Sequence, residues 1–265
     1  MNNWVYLSKN GTDEYINAMA RADKTIPTST DDFIFESSQD PIILRGILKH
    51  KIMKRCQQEG RTFYYMDTAY FGNEASADNP QGWKYWHRIV KNDLQHNDIV
   101  KRPADRWESF KRKLSPWKKN GRKILVAKPD EKPCKYYGID LEQWTQEVIQ
   151  TIQQHTDRPI ELRERAPKRI DRTVSNTLKQ ALDNDVYALV TFNSNAATEA
   201  VWAGVPIITL GKHISNPISL KSIDKINNLV RPNIASWLAM LSYSQFTFEE
   251  LMNGTATEII KKYHV

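Results

Sequence analysis

The stretch that decides the fold is VYALVTFNSNAATEAVWAGVPIITLGK, residues 186–212. It reads as an apolar strand, a polar turn, a helix from about Ala196 and a second apolar strand, with Gly204 and Pro206 separating the helix from that strand. A strand, a helix and a strand in this order form the unit of a parallel sheet covered by helices. The sequence therefore predicts an α/β fold around this segment.

The turn NSN (193–195) predicts a phosphate site. The NH groups of a first helical turn lack partners within the helix and point towards an anion. We expect the NH groups of Ser194, Asn195 and Ala196 to hold a nucleotide diphosphate and Glu199, one turn later, to accept the ribose hydroxyls. The alternative is that the turn supplies ordinary helix caps, and that Glu199 is a first-turn acid favoured by the helix dipole.

The same alternation of strands and helices extends over the chain and predicts two α/β lobes. We place the boundary near residue 120, which gives an N-terminal lobe (1–120) with an insert at 72–122 and a C-terminal lobe (121–265) ending in helices. A cleft between two such sheets is a common ligand site. The predicted strands are 4–8, 32–37, 61–68, 123–127, 159–165, 186–192 and 205–210, and the helices are 12–23, 40–59, 141–155, 175–183, 196–204 and two more after 232.

Cations follow the ends of the neighbouring strands. Lys128 follows the strand 123–127, Arg163 lies near the end of 159–165, and Lys168 comes shortly after. If the sheet is parallel, these residues share one edge with the turn 193–195 and neutralise a diphosphate leaving group.

Two residues are candidates for a general base, which would take a proton from a hydroxyl group of a substrate. Asp67 ends the apolar strand RTFYYMDT, where aromatic neighbours would raise the pKa of its carboxyl group. His96 has an ordinary pKa near neutrality. The alternative for Asp67 is a cap or turn residue.

The segment 84–123 is strongly basic, with 13 Lys or Arg against four Asp or Glu, so the net charge of +7 is concentrated there. Tryptophans lie between these cations, which is the combination that binds nucleic acid. The alternative is a solvated basic face whose aromatic rings belong to the core. The residues expected to contact nucleic acid are Trp86, Arg88, Lys91, Arg102, Arg106, Lys111, Arg112 and Lys118.

Composition excludes several classes of protein. The two cysteines and six scattered histidines have no metal-ligand spacing, so we expect neither a disulfide framework nor a protein-held metal site. No apolar run approaches the roughly 20 residues that cross a bilayer, and the N-terminus lacks a signal pattern, so we expect a cytoplasmic protein with no membrane span. A metal ion carried by a diphosphate stays open.

The segment NSNAATEAVWAGVPIITLG resembles the donor-binding segment of GT-B glycosyltransferases. It also fits the S-x-x-x-x-E-A-x-x-x-G-x-P pattern of bacterial capsule and lipopolysaccharide transferases, through Ser194, Glu199, Ala200, Gly204 and Pro206. The wider layout over 120–255 is similar to that of small bacteriophage transferases that glycosylate hydroxymethylated pyrimidines in DNA. The resemblance implies a GT-B fold and a nucleotide-sugar substrate, with a UDP-sugar favoured and no tightly bound cofactor.

Together these features favour a glycosyltransferase that moves a sugar onto a hydroxylated base in DNA, in the host cytoplasm if a phage encodes it. One alternative keeps the chemistry and takes a cell-envelope glycan as acceptor. A second alternative is a non-catalytic nucleic-acid-binding protein on a transferase-like scaffold.

Overall fold

The computed structural model describes residues 4–72, 84–98, 100–110, 113–164 and 178–263. The strands are β1 (Val5–Ser8), β2 (Thr28–Ser29), β3 (Ile42–Arg45), β4 (Phe63–Thr68), β5 (Trp86–Lys91), β6 (Lys123–Ala127), β7 (Ile160–Arg163), β8 (Val186–Thr191), β9 (Ile207–Thr209) and β10 (Gln245–Thr247). The helices are α1 (Glu14–Ala22), α2 (His50–Glu59), α3 (Asp105–Ser109), α4 (Glu131–Tyr137), α5 (Leu141–His155), α6 (Leu178–Asp183), α7 (Ala196–Trp202), α8 (Ala235–Tyr243), α9 (Phe248–Met252) and α10 (Thr255–Tyr263).

The chain divides into two compact units. Unit 1 comprises the described residues of 4–72, 84–96 and 243–263, and unit 2 comprises those of 97–242. The division differs from the predicted boundary near residue 120 in two ways. The described residues of 97–120 belong to unit 2 rather than to the N-terminal lobe, and the C-terminal segment returns to unit 1 because β10 pairs with β5.

Unit 1 contains, within its described residues, a six-stranded sheet in the order β10-β5-β4-β3-β1-β2. Strands β1 to β4 are parallel, and β5 is antiparallel to both of its neighbours. Helix α1 begins after Asp13, whose carboxylate accepts the Ile16 NH at 3.2 Å. It packs the fully buried Ile16 and Met19 into the core with Phe246 of β10.

Two predicted elements of unit 1 are wrong. A helix is predicted over 40–59, but its first part is strand β3, because Ile42, Ile43 and Leu44 are buried between β1 and β4 and the central strand of a parallel sheet is covered on both faces. The helix itself begins at His50. The predicted strand 32–37 is instead a short 3₁₀ turn at Phe35–Ser37, where the Arg61 side chain donates to the Phe35 carbonyl.

Unit 2 contains, in its described part, a four-stranded parallel sheet in the order β7-β6-β8-β9. Strand β8 is buried along its whole length, as its uninterrupted apolar sequence predicts. Strand β6 and helix α5 have the predicted bounds, and Asp140 caps α5 by accepting the Gln143 NH at 2.8 Å. Gly204 has a φ of 69°, and a Cβ there would lie 2.1 Å from the Pro116 carbonyl oxygen, so the turn between α7 and β9 requires glycine.

One of the two helices predicted after residue 232 is confirmed as α9, which begins after Thr247. The Thr247 hydroxyl accepts the Glu250 NH at 3.1 Å, and the Glu250 carboxylate accepts the Thr247 NH at 2.9 Å. These two bonds form a capping box, which fixes the start of the helix directly after β10.

Candidate functional site

The sheet of unit 2 reverses its strand order between β6 and β8. Strand β7 follows β6 on one side, whereas β8 and β9 lie on the other side. In parallel α/β sheets, such a switch point leaves a crevice beyond the carboxyl ends of the two strands, and ligands bind there. The turn 193–195 follows β8 and therefore lies at this switch point.

The switch point is lined by uncharged polar groups. Ala127, Thr191 and Thr209 pair side by side across β6, β8 and β9. The Thr191 hydroxyl donates to the Ala127 carbonyl at 2.8 Å and so ties the two strand ends together. Asn193 is 5% exposed, whereas Ser194 is partly exposed.

The amides of the turn have partners inside the turn. The Ser194 NH donates to the Thr191 hydroxyl at 3.4 Å, and the Ala196 NH donates to the Ser194 hydroxyl at 3.3 Å. This corrects the expectation that these NH groups are unpaired. Both bonds are longer than the about 2.9 Å that is usual for N–H···O, so a phosphate oxygen would compete with weak partners.

Glu199 is partly buried, one turn into α7. Its NH donates to the Asn195 carbonyl at 3.3 Å, which continues the helix. Glu199 thus lies one helical turn after the residues 193–195. Its contact with the ribose stays a prediction.

Polar residues that the sequence analysis missed follow β9. Thr209 donates to the Asn216 side-chain oxygen at 2.6 Å, and Asn216 donates to the Asn97 side-chain oxygen at 2.6 Å. His213 and Ser215 are fully buried in the same loop. The available signal was the polar run GKHISN after the apolar strand 205–210, which parallels the run NSN after β8.

The predicted cations share this edge, but Lys128 already has partners. Arg163 pairs with Ala127 at the end of β7, and the Lys128 NH donates to the Arg163 carbonyl at 2.9 Å. The Lys128 ammonium donates to Glu164 at 2.7 Å and to Glu142 at 3.3 Å. The hydrogen bond to Glu164 raises the Lys128 pKa above its ordinary value, more than the bond to Glu142 does. Lys168 lies outside the described residues.

Asp67 lies near the end of β4 in unit 1, as predicted, but its pKa moves in the opposite direction to the prediction. Burial by itself raises this pKa. Three interactions outweigh the effect of burial: the Arg88 guanidinium at 3.5 Å and hydrogen bonds from the Tyr65 hydroxyl (2.5 Å) and the Thr68 NH (2.8 Å). The pKa of Asp67 is therefore lowered, because each of these partners stabilises the carboxylate. Such a carboxylate is a weaker base than the sequence analysis expected.

His96 lies at the end of unit 1 and is held by Tyr70. Its Nδ1 is 2.9 Å from the Tyr70 hydroxyl, and its NH donates to the same hydroxyl at 3.1 Å. Tyr70 itself is fully buried. The His96 ring is therefore fixed in position, and its role as a base stays a prediction.

Arg88 is a structural residue of unit 1, which contradicts its expected contact with nucleic acid. Its side chain is 8% exposed, and it donates to the Thr68 carbonyl at 2.6 Å and the Leu94 carbonyl at 3.3 Å. Trp86 and Lys91 are partly buried at the two ends of β5, and the Trp86 ring packs against Phe71 with centroids 5.9 Å apart.

The basic segment of unit 2 also contributes to packing. Arg106 donates to the Ser242 carbonyl at 2.8 Å, and Lys118 donates to the Leu182 carbonyl at 2.7 Å. Arg102 donates to the neighbouring Lys101 carbonyl at 3.1 Å. Lys111 and Arg112 lie outside the described residues.

The tryptophans of this segment pack within unit 2. The Trp107 ring lies 5.6 Å from that of Trp202, and the Trp117 NH donates to the Pro232 carbonyl at 3.0 Å. Both tryptophans are partly exposed, so they contribute to packing without being core residues, and a role in stacking bases stays a prediction.

The described ranges of the chain contain neither a candidate metal cluster nor a candidate membrane span. In those ranges no three His, Cys, Asp or Glu side chains are grouped to hold a metal ion. No helix among the same residues has the length and apolar character required to cross a membrane.

Comparison with known proteins gives a likeness in structure alone. No family model matches the chain, and no curated protein matches its sequence. A structure of Thermosulfurimonas dismutans KpsC, a beta Kdo 2,4 transferase, matches with a TM-score of 0.56 and 9% identity over 96% of this chain and 98% of that chain. A second, of the beta Kdo 2,7 transferase of KpsC from the same organism, gives 0.50 and 10% over 96% and 99%. The chain thus has an α/β fold of parallel sheets flanked by helices, consistent with the GT-B-like fold predicted from its sequence.

Proposed function

We propose that this protein is a glycosyltransferase that moves a sugar from a nucleotide-sugar donor to a polysaccharide acceptor. The observation that carries the proposal is the likeness to two Kdo transferases over nearly the whole of this chain and of theirs. The capsule-type pattern from Ser194 to Pro206 supports it, because that segment lies at the switch point of unit 2.

In this proposal the nucleotide binds at the switch point of unit 2. The Ser194, Asn195 and Ala196 amides take the phosphate oxygens, with the Ser194 and Ala196 amides giving up their weak partners in the turn, and Glu199 holds the ribose. Lys128, Arg163 and Lys168 offset the leaving-group charge, with Lys128 exchanging a glutamate for phosphate. A UDP-sugar is the substrate to test first.

The transfer breaks the bond between the anomeric carbon and the phosphate oxygen, and that oxygen keeps the electron pair. The acceptor hydroxyl oxygen forms the new bond to the anomeric carbon, and a base takes its proton. Asp67 and His96 are the candidates for this base. The lowered pKa of Asp67 makes it the weaker candidate, so His96 is the base to test first.

A DNA base as acceptor has less support than a polysaccharide. The two matching transferases are named for Kdo, and two arginines expected to contact DNA, Arg88 and Arg106, donate to main-chain carbonyls within their own units. A DNA acceptor therefore enters the test as a competing outcome.

The test measures release of nucleotide from a panel of nucleotide sugars, with a capsule-type polysaccharide, hydroxymethylated DNA or plain DNA as acceptor. We expect turnover with the polysaccharide and its loss, by at least about 100-fold, in Glu199→Ala, because a substrate-orienting contact is removed. Glu147→Ala, which replaces an exposed glutamate on α5, is the matched control and should retain activity.

Turnover only with hydroxymethylated DNA would replace the polysaccharide acceptor by DNA. No turnover of any nucleotide sugar, together with strong and salt-dependent DNA binding that Glu199→Ala leaves unchanged, would refute the enzyme and favour a nucleic-acid-binding protein.

A further inference from the structure

Unit 1 has a switch point of its own, between β1 and β3. Strand β2 lies on one side of β1, and β3 and β4 lie on the other, which is the same order of parallel strands as β7-β6-β8-β9 in unit 2. The carboxyl ends of β1 and β3 therefore border a crevice of the kind that binds ligands. Ser8 ends β1, and Arg45 ends β3.

Arg45 is held at this crevice without a hydrogen bond. Its guanidinium lies 4.4 Å from the centre of the Tyr15 ring and 3.8 Å from the Asp13 carboxylate, which is beyond hydrogen-bond distance. It makes no hydrogen bond to any residue in the described part of the chain, and its side chain is 25% exposed. A guanidinium carries five NH donors suited to carboxylate and phosphate, so this one has donors left for an anion in addition to the Asp13 carboxylate.

Tyr15 gives Arg45 a fixed platform. Its ring also contacts His87 and Phe248, with the ring centroids 3.9 Å and 5.3 Å apart. His87 is fully buried, and burial lowers its pKa to about 3, so the imidazole is neutral and adds no charge to the crevice. The Arg45 side chain is therefore ordered by stacking, which leaves its polar edge available.

Lys49 brings a second cation to the same crevice. Its ammonium donates to the carbonyl of Leu7 in β1 at 3.2 Å and forms no ion pair within the described residues. Burial lowers the Lys49 pKa, Asp13 opposes this effect, and the positive charges of Arg45 and Lys9 add to it. Asp13 is in turn used as the cap of α1. The positive charge at the switch point is thus incompletely balanced.

We propose that the β1/β3 switch point of unit 1 is an anion subsite, in which Arg45 and Lys49 bind the carboxylate or phosphate of an acidic glycan acceptor. The identification of the anion as part of the acceptor rests on the proposed glycosyltransferase function, in which the nucleotide occupies unit 2. A neutral glycan would bring no negative charge to either cation, so the subsite selects acidic acceptors.

Binding of small anions tests the subsite without turnover. Glucuronate and glucose 6-phosphate, with glucose as the neutral reference, are titrated into the full chain at low salt and followed by NMR. We expect both anions to bind and glucose not to bind. A tighter complex with glucuronate identifies a sugar acid, and a tighter complex with glucose 6-phosphate identifies a phosphorylated glycan.

Arg45→Gln and Lys49→Gln should each weaken binding of the tighter anion by about tenfold or more, because each removes a charge-assisted hydrogen bond. Lys51→Gln is the matched control, since it removes the same charge from an exposed position on α2 and should leave affinity unchanged. Lys49→Arg keeps the charge and should retain binding. Circular dichroism and thermal unfolding check that each variant is folded.

Three results would overturn the subsite: no anion binding by the wild type, equal binding by the Arg45 and Lys49 variants, or an equal loss in Lys51→Gln. None of these touches the proposed function, which is judged by nucleotide-sugar turnover. Conversely, anion binding without any turnover would leave the subsite in place and remove the glycosyltransferase.

Discussion

The switch points of the two units have the same strand order. They differ in how far their cations are paired with carboxylates. In unit 2, Lys128 is paired with both Glu142 and Glu164, and uncharged polar groups such as Thr191 lie beside it at the strand ends. In unit 1, Arg45 makes no hydrogen bond within the described residues and Lys49 has no carboxylate partner there. Topology therefore decides where a ligand can bind, and the local charge balance decides which ligand it is.

The difference also separates two kinds of arginine within unit 1. Arg88 is enclosed by Asp67 and two main-chain carbonyls, whereas Arg45 touches a ring and a distant carboxylate. Removing the partner of a buried polar group lowers the stability of the fold. Replacing a guanidinium that makes no hydrogen bond lowers it much less. The first arginine maintains the fold, and the second is available for a ligand.

The largest expected effect concerns these arginines. Arg88→Gln should lower the free energy of unfolding by about 3 kcal/mol, because it removes the charged partner of Asp67 and the donor to the carbonyls of Thr68 and Leu94. Arg45→Gln should lower it by less than about 1 kcal/mol. Chemical denaturation of both variants measures the difference. An equal loss in the two variants would mean that Arg45 is also structural, and the contrast between the arginines would disappear.

A smaller effect is expected when the cation of unit 2 is released. Glu142→Gln combined with Glu164→Gln leaves Lys128 without its carboxylate partners, so the β6/β8 switch point should gain affinity for inorganic phosphate by a few-fold. The measurement is a phosphate titration in the Arg45→Gln background, where the subsite of unit 1 is disabled, and Glu147→Gln is the control. An unchanged affinity would show that pairing of Lys128 does not set the difference between the units.

The smallest effect concerns pH. Anion binding by Lys49 requires its protonated form, and its pKa lies below the ordinary value of 10.5 because of burial, with the charges of Arg45 and Lys9 adding to the shift against Asp13. The affinity for glucuronate should therefore fall as the pH rises, beginning below the pH at which an exposed lysine loses its proton. Lys49→Arg should remove this fall, since arginine stays protonated. A pH profile of the wild type that matches the arginine variant would exclude Lys49 from the subsite.

Much of unit 2 follows from sequence because its signals are local. The apolar runs of β6 and β8, the cap Asp140 of α5 and the turn residues after β8 act within a few positions of one another. The same holds for Thr247 and Glu250, whose capping box spans a single turn. Such patterns determine an element wherever the chain carries it.

Other features depended on neighbours that the sequence does not reveal. Residues 42–45 form a strand because β1 and β4 flank them, although their apolar run also suits a helix. The Asp67 pKa is lowered because the pairing of β4 with β5 sets Arg88 opposite it, whereas its aromatic neighbours in sequence suggested a raised value. The anion subsite was missed because Arg45 and Lys49 lie in a segment predicted as an ordinary helix.

The sequence by itself determined the α/β class, the strand and helix within residues 186–204, and the polar turn between them. Only the tertiary structure decided which charged groups are compensated, since Glu142, Glu164 and Arg88 reach their partners from other elements. The physical reason is one of range. Helix and strand formation depend on the spacing of residues along the chain, whereas the pairing of charges depends on which elements lie next to one another in the folded protein.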